Sequence, residues 1–281
     1  MKPTILLVEC GDRPGLVHAV TGVLLKRAAN VVGNQEFVDR TAGRFYMRTE
    51  FEVGSGGLHP QLLEQELAAV LPPDARIRVA SDMPRRLVIL ASREHHCLAD
   101  LLVRHHFGEL NAVIGAVVSN HDSLASFCHR FGIPFHHVSA EGLTREEHEQ
   151  RMLACIDPCD PEYVVLAKFM RVLSPDLVAR YPHRILNIHH SFLPAFIGAR
   201  PYHQAFSRGV KVIGATAHFV TDDLDAGPII VQHVLPVDHT RSAGDLARAG
   251  RDVEQAALAQ ALRLVLEDRV FLAGNRTVIF D

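Results

Sequence analysis

The sequence predicts an α/β protein of two domains: a small βαββαβ unit, then a doubly wound, mostly parallel sheet. Three observations carry this expectation. The chain has 281 residues, enough for two domains at roughly 100–200 residues each. Residues 45–53 alternate with period two: Phe45, Met47, Thr49, Phe51 and Val53 share one face, and Tyr46, Arg48, Glu50 and Glu52 the other. That is a strand with one wet face. Further on, short apolar runs at 87–91, 112–119 and 163–167 are separated by helical patterns, as in a parallel sheet covered on both faces.

The elements follow in order. Residues 4–9 are a short apolar strand, and Gly11-Asp12-Arg13-Pro14-Gly15 forms a turn. Leu16, Val17, Val20, Val23 and Leu24 recur at helical spacing, so 14–28 reads as a helix with Pro14 in its first turn. Residues 31–39 form a second strand, 40–43 a turn and 45–53 the alternating strand. Residues 60–71 form a helix with Leu62, Leu63, Leu67, Val70 and Leu71 inward, and 77–80 a closing strand. The order is the split βαβ, or ferredoxin-like, arrangement.

Residues 81–86 are polar with a proline, as linkers are. The expected domains are therefore 1–82 and 86–281. In the second, strands at 87–91, 112–119, 134–138 and 163–167 alternate with helices at 97–106, 124–131 and 145–156. A last helix spans 243–267 and is continued by 270–281.

Composition excludes several classes. With 48% hydrophobic and 22% charged residues, the chain buries enough apolar surface to fold. A net charge of −3 leaves no basic footprint for nucleic acid. The apolar run 5–8 ends at Glu9 and is too short for a membrane span. Five cysteines with no leader before them suggest free thiols and a cytoplasmic protein. The 18 histidines raise the question of a metal. No His-Glu-x-x-His is present, Cys155 and Cys159 lack a second pair at ligand spacing, and neighbours in a His-His dyad point to opposite faces of a strand. No metal is expected.

Chemistry belongs where strands give way to polar loops. In Ile185-Leu-Asn187-Ile-His189 the spacing of two brings Asn187 and His189 onto one face. Some thirty residues on, His218 precedes the acidic loop Thr221-Asp-Asp-Leu-Asp225-Ala-Gly227-Pro228. Converging Asn, His and Asp side chains suit acyl chemistry: the amide and a protonated His donate to an oxyanion, and the carboxylate orients the His. The same residues also serve as a satisfied polar patch and a turn.

Residues 4–80, with the Gly-Asp-Arg-Pro-Gly loop after the first strand, resemble the ACT domain. This resemblance implies an amino-acid effector such as glycine or methionine, with Gly11, Asp12, Arg13, Gly15 and Asn30 as candidate contacts. Pairing through an open sheet edge implies a homo-oligomer, a dimer or tetramer.

Residues 86–281 resemble the folate-dependent formyltransferase family. The matching blocks are Asn187-Ile-His189-His-Ser191-Phe-Leu193-Pro194 and His218-Phe-Val220-Thr-Asp-Asp-Leu-Asp225-Ala-Gly227-Pro228. The resemblance implies 10-formyltetrahydrofolate as the substrate, with no separate cofactor, and Asn187, His189 and Asp225 as the catalytic set. Met170, Arg171, Val172, Leu173, His218 and Gly198 become folate-binding candidates; Gly198, Arg200 and His203 fall in a loop leading to a helix.

Members that formylate a ribonucleotide amine carry a glycine-rich phosphate loop after the domain's first strand. Here that stretch is Ala91-Ser92-Arg93-Glu94-His95-His96-Cys97 and holds no glycine. Water is the remaining nucleophile, so hydrolysis to formate and tetrahydrofolate is expected, supplying formate for purine synthesis and balancing the one-carbon pool. Transfer to an amine and a non-enzymatic amino-acid sensor are the alternatives.

Overall fold

The first strand, β1 (Thr4–Gly11), runs into a turn that ends at Gly15, whose φ of 89° lies in the left-handed region. Helix α1 (Leu16–Lys26) follows, two residues later than expected. Strands β2 (Asn30–Asp39) and β3 (Arg44–Glu52), helix α2 (Pro60–Val70) and strand β4 (Arg76–Val79) complete the unit. The sheet order is β2-β3-β1-β4 with every neighbour antiparallel. Its core joins Leu6 and Val8 of β1, Val20 and Leu24 of α1, Met47 and Phe51 of β3, and Leu63 and Leu67 of α2. The computed structural model describes residues 3–54, 59–80, 83–194 and 201–281.

The face of β3 expected to be wet is buried over its first half, while Glu50 is half-buried and Glu52 exposed. Tyr46 and Arg48 are 1% and 3% exposed. The end of the chain covers them: the Phe271 ring meets Tyr46 edge-on at 5.6 Å, and Arg48 Nε donates to the Asp268 carbonyl at 3.0 Å. Alternation within nine residues cannot report a segment more than two hundred positions away.

The second unit contains β5 (Arg85–Ala91), α3 (His96–His106), β6 (Ala112–Ser119), α4 (Ala125–Arg130), β7 (Phe135–His137), α5 (Arg145–Ile156), β8 (Tyr163–Ala167), α6 (Pro175–Arg180) and β9 (Ile185–His189). After them come α7 (Pro201–Arg208), β10 (Val212–Phe219), β11 (Ile229–Pro236) and α8 (Ala243–Leu266). Thr144 and Glu147 form a capping box that starts α5, and Ser242 and Asp245 one that starts α8. The seven strands run β11-β10-β9-β8-β5-β6-β7. Strands β5 to β9 pair in parallel; β10 is antiparallel to both β9 and β11. The order reverses between β5 and β8, which opens a crevice beyond their carboxyl ends. α6 is too short to show a helical period, and β11, which the sequence reading leaves unassigned, follows directly on the Gly227-Pro228 turn.

By contacts, one compact unit is Met1–Met83 with Asp268–Phe271 and Val278–Asp281; the other is Pro84–Glu267 with Leu272–Thr277. The expectation that 86–281 forms one domain is corrected at its end. The hairpin of β12 (Val270–Ala273) and β13 (Arg276–Ile279) follows α8, and its outer parts pack with the first unit. No helix among the described residues is long and apolar enough to cross a membrane.

Candidate active site

Strand β9 delivers Asn187 and His189 to one face at the carboxyl end of the sheet. Because β10 runs antiparallel, His218 sits opposite Asn187 and Thr216 opposite His189, and opposed side chains on one face are neighbours. The loop after β10 then brings Asp225 back. Two features close that loop. Phe219 N–H donates to the Pro228 carbonyl at 2.9 Å. Gly227 lies so near the Phe219 carbonyl that a Cβ would stand 1.9 Å from its oxygen, so only glycine fits. Asp225 itself adopts φ 56°.

His189 Nδ1 lies 3.1 Å from Asp225 Oδ1. A carboxylate only accepts, so Nδ1 carries a proton and donates it. The other ring nitrogen, Nε2, is buried and has no hydrogen-bond partner. His96 Nδ1 is in the same condition, and a buried polar atom without a partner calls for one.

A second chain of bonds orients the amide. His218 Nδ1–H donates to the Phe219 carbonyl at 2.8 Å, which leaves Nε2 an acceptor for the Asn187 Nδ2–H at 3.2 Å. Asn187 keeps its second N–H. Burial lowers the His218 pKa, against the opposing pull of the Phe219 carbonyl and Asp225, so the ring stays neutral as this arrangement requires. Burial works to raise the Asp225 pKa, but the hydrogen bond and charge of His189, with His218 and His190, hold it below its ordinary value. His190 stacks on His189 at 5.0 Å, and burial with the Lys168 charge lowers its pKa to about 4.

These groups face a cavity of about 270 Å³. One wall is Asn187, His189, His190, His218 and Asp225; the other is the stretch after β8, including Met170, Arg171, Val172 and Leu173. The structure thus brings together Asn187, His189 and Asp225, the expected catalytic residues, with five of the folate candidates, His218 among them. Gly198 and Arg200 lie outside the described residues. His203 is exposed on α7 rather than in a loop.

The effector candidates do not form one cluster. Gly11 N–H is taken by Asp74 at 2.9 Å and Arg13 donates to the Val70 carbonyl at 3.2 Å. Asn30 faces Glu52 whereas Gly11 faces Arg44, opposite ends of β3 and roughly 25 Å apart at about 3.3 Å per residue. One chain therefore does not join Asn30 to the loop Gly11–Gly15.

Sequence reasoning missed a buried cluster on the crevice floor. Glu254 of α8 is 1% exposed. It takes His96 Nε2–H at 2.7 Å, Lys168 Nζ at 3.2 Å and Tyr202 O–H at 2.6 Å. Burial opposes ionisation, yet these three partners hold its pKa down to about 2. The signal was present: Glu254 shares the buried stripe of α8 with Gly250, Ala257, Leu258 and Ala261. A carboxylate there needs partners. Among the described residues, His96, Cys97 and Glu254 lie close enough to hold an ion. The Lys168 ammonium already balances Glu254, and burial pushes the Cys97 thiol pKa up. The trio does not suit a cation.

The mostly parallel sheet holds Asn187, His189 and Asp225 together at its carboxyl edge, and residues 85–262 match the family model described as formyl transferase, which sets the class of the protein. The chain is 54% identical to the formyltetrahydrofolate deformylase of Escherichia coli (strain K12) over 279 residues, 99% of each chain. The crystal structure of a formyltetrahydrofolate deformylase from Pseudomonas syringae pv. tomato superposes with a TM-score of 0.95 at 41% identity, covering 100% of this chain and 95% of that one. A glycinamide ribonucleotide transformylase from Symbiobacterium toebii aligns with a TM-score of 0.68 at 32% identity, covering 72% of this chain and 97% of that one. The chain belongs to the formyltetrahydrofolate deformylase family.

Proposed function

We propose that this chain hydrolyses 10-formyltetrahydrofolate to formate and tetrahydrofolate. The observation that carries the reading is the unpartnered, buried Nε2 of His189, held by Asp225 beside the oriented amide of Asn187. Water attacks the formyl carbon while Asp225, with His189, positions it and takes its proton. The oxyanion accepts from Asn187 Nδ2–H and His189 Nε2–H. The C–N10 bond then breaks; N10 takes the proton and formate leaves. His218 orients Asn187, and Met170, Arg171, Val172 and Leu173 receive the folate, with Gly198 as a further contact. The substrate carries the reacting carbon, so turnover needs no added cofactor.

Family membership and the loop after β5, which carries Glu94 in place of glycines, support water as the acceptor. Incubation with 10-formyltetrahydrofolate and no amine decides: stoichiometric formate supports hydrolysis, and formyl loss only when an amine is added supports transfer. The reaction supplies formate for purine synthesis and balances the one-carbon pool. We place it in the cytoplasm, in keeping with five unpaired cysteines.

We read the first unit as an ACT-like regulatory and oligomerisation domain acting in a dimer or tetramer. The turn Gly11-Asp12-Arg13-Pro14-Gly15 would bind glycine or methionine, with Asn30 reaching it only from a second copy. Calorimetric titration of the full-length enzyme with each amino acid tests this; no heat from either removes the effector.

A further inference from the structure

The wall of the cavity that faces the catalytic set has no regular structure. It runs from Lys168, at φ 61°, to Ser174, the residue that caps α6. Met170 and Val172 are more than half exposed there, while Phe169 and Leu173 reach into the core. A stretch like this keeps one shape only if its ends are tied, because each free residue costs about 1–2 kcal/mol of ordering entropy.

Both ends are tied by buried carboxylates from different helices. At the start, Lys168 Nζ lies 3.2 Å from Glu254 of α8, which is fixed in turn by His96 and Tyr202. At the finish, Glu149 of α5, 5% exposed, takes both the Ser174 N–H at 2.7 Å and the Ser174 hydroxyl. The hydroxyl oxygen also accepts from Leu177 N–H at 3.3 Å. Between them, Met170 N–H donates to Ser92 Oγ at 3.2 Å, and Ser92 donates to Asn120 at 2.8 Å. Burying two carboxylates is costly unless each is bonded. A short loop that needed only to connect β8 to α6 would not require them.

We propose that Glu149 and Glu254 are positioning residues: together they clamp the two ends of 168–174 so that this stretch meets the folate as a preformed wall. This rests on the hydrolytic reading of the same cavity. Clamping acts on binding. It removes an ordering cost that the ligand would otherwise bear, and the reacting atoms are untouched.

The test uses the full-length chain carrying Ser174→Ala, Glu149→Gln, Glu149→Ala or Glu254→Gln. Steady-state kinetics with 10-formyltetrahydrofolate and calorimetric titration with tetrahydrofolate are read beside Tm. Loss of one charged hydrogen bond should raise KM and the tetrahydrofolate Kd by about tenfold, with a much smaller change in kcat. Glu149→Gln, which keeps one acceptor, should recover part of what Glu149→Ala loses. If Tm falls while Kd and KM stay within about twofold of wild type, the carboxylates are structural only and the proposal is overturned. Should Glu149→Ala fail to fold, Ser174→Ala decides, since it removes one donor with little change in volume. Wild-type enzyme that neither binds tetrahydrofolate nor releases formate would overturn the hydrolytic reading itself, and the clamp with it.

Discussion

Asn187 carries an amide that would rotate freely on an isolated strand. His218 removes that freedom by accepting one of its hydrogens, and Phe219 removes the freedom of His218. In the proposed reaction the amide then needs no reorganisation when charge develops, which is where electrostatic catalysis gains most. Asn187→Ala and His189→Ala should each lower kcat by about 10²–10³ with the fold intact by circular dichroism. Asp225→Asn should also lose most turnover; near-wild-type rates would remove its water-activating role. His190 supplies a pH prediction. Its folded pKa of about 4 lies below the ordinary 6.5, through burial first and then the Lys168 and His189 charges, with Glu254 and Asp225 opposing. Between those limits the unfolded chain binds a proton that the folded one refuses, so stability falls as pH drops from about 6.5 towards 4. At about pH 5 the loss should be about 2 kcal/mol. Urea unfolding of wild type and His190→Phe at neutral pH and at about pH 5 should show the larger loss in wild type. At this scale a strand spacing and an acidic loop left Asn187, His189 and Asp225 as one reading beside a polar patch and a turn; the resemblance of their two sequence blocks to the formyltransferase family singled them out. Glu149 was not legible, because a charged residue in an amphipathic helix looks solvated until its neighbours are known; Glu254 left a signal in the apolar stripe of α8 but not the identity of its partners.

Elements matter here for where they end. Strand β9 stops at His189, and the loop beyond β10 is cinched at Gly227. Gly227→Ala would drive a methyl into the Phe219 carbonyl and push Asp225 off His189. A misplacement of about 1 Å can cost about 10²-fold, so kcat should drop by at least about tenfold, measured beside Tm. Apolar strands such as β6 and β8 and long helices such as α5 and α8 were readable, since composition and length agree there. The six-residue α6 was not; Ser174 caps it and Glu149 holds that cap, a tertiary bond.

Across the whole molecule, the final residues return to the first unit. Phe271 lies against Tyr46 and Phe280, and Arg78 pairs with Asp268 at 2.5 Å. Tyr46 and Arg48 on one face of that unit's sheet are thereby buried, although the residues that cover them are encoded at the other end of the chain. Phe271→Ala should cost about 3 kcal/mol, read as a lower urea midpoint. If the variant unfolds like wild type, the covering segment adds no stability.

The Asn-His-Asp set was singled out by the likeness of its two sequence blocks to a known family, whereas local order in the sequence was enough to determine the two α/β units and most of their elements. Spacing, alternation and turn chemistry act over a few residues, and these features need nothing more. Long-range packing determined the rest: the burial of Tyr46 and Arg48, the separation of Asn30 from the Gly11 loop, the cross-strand pairing of Asn187 with His218, and the partners of Glu149 and Glu254. Each depends on which distant segment supplies a neighbour, and burial, not spacing, makes that neighbour necessary.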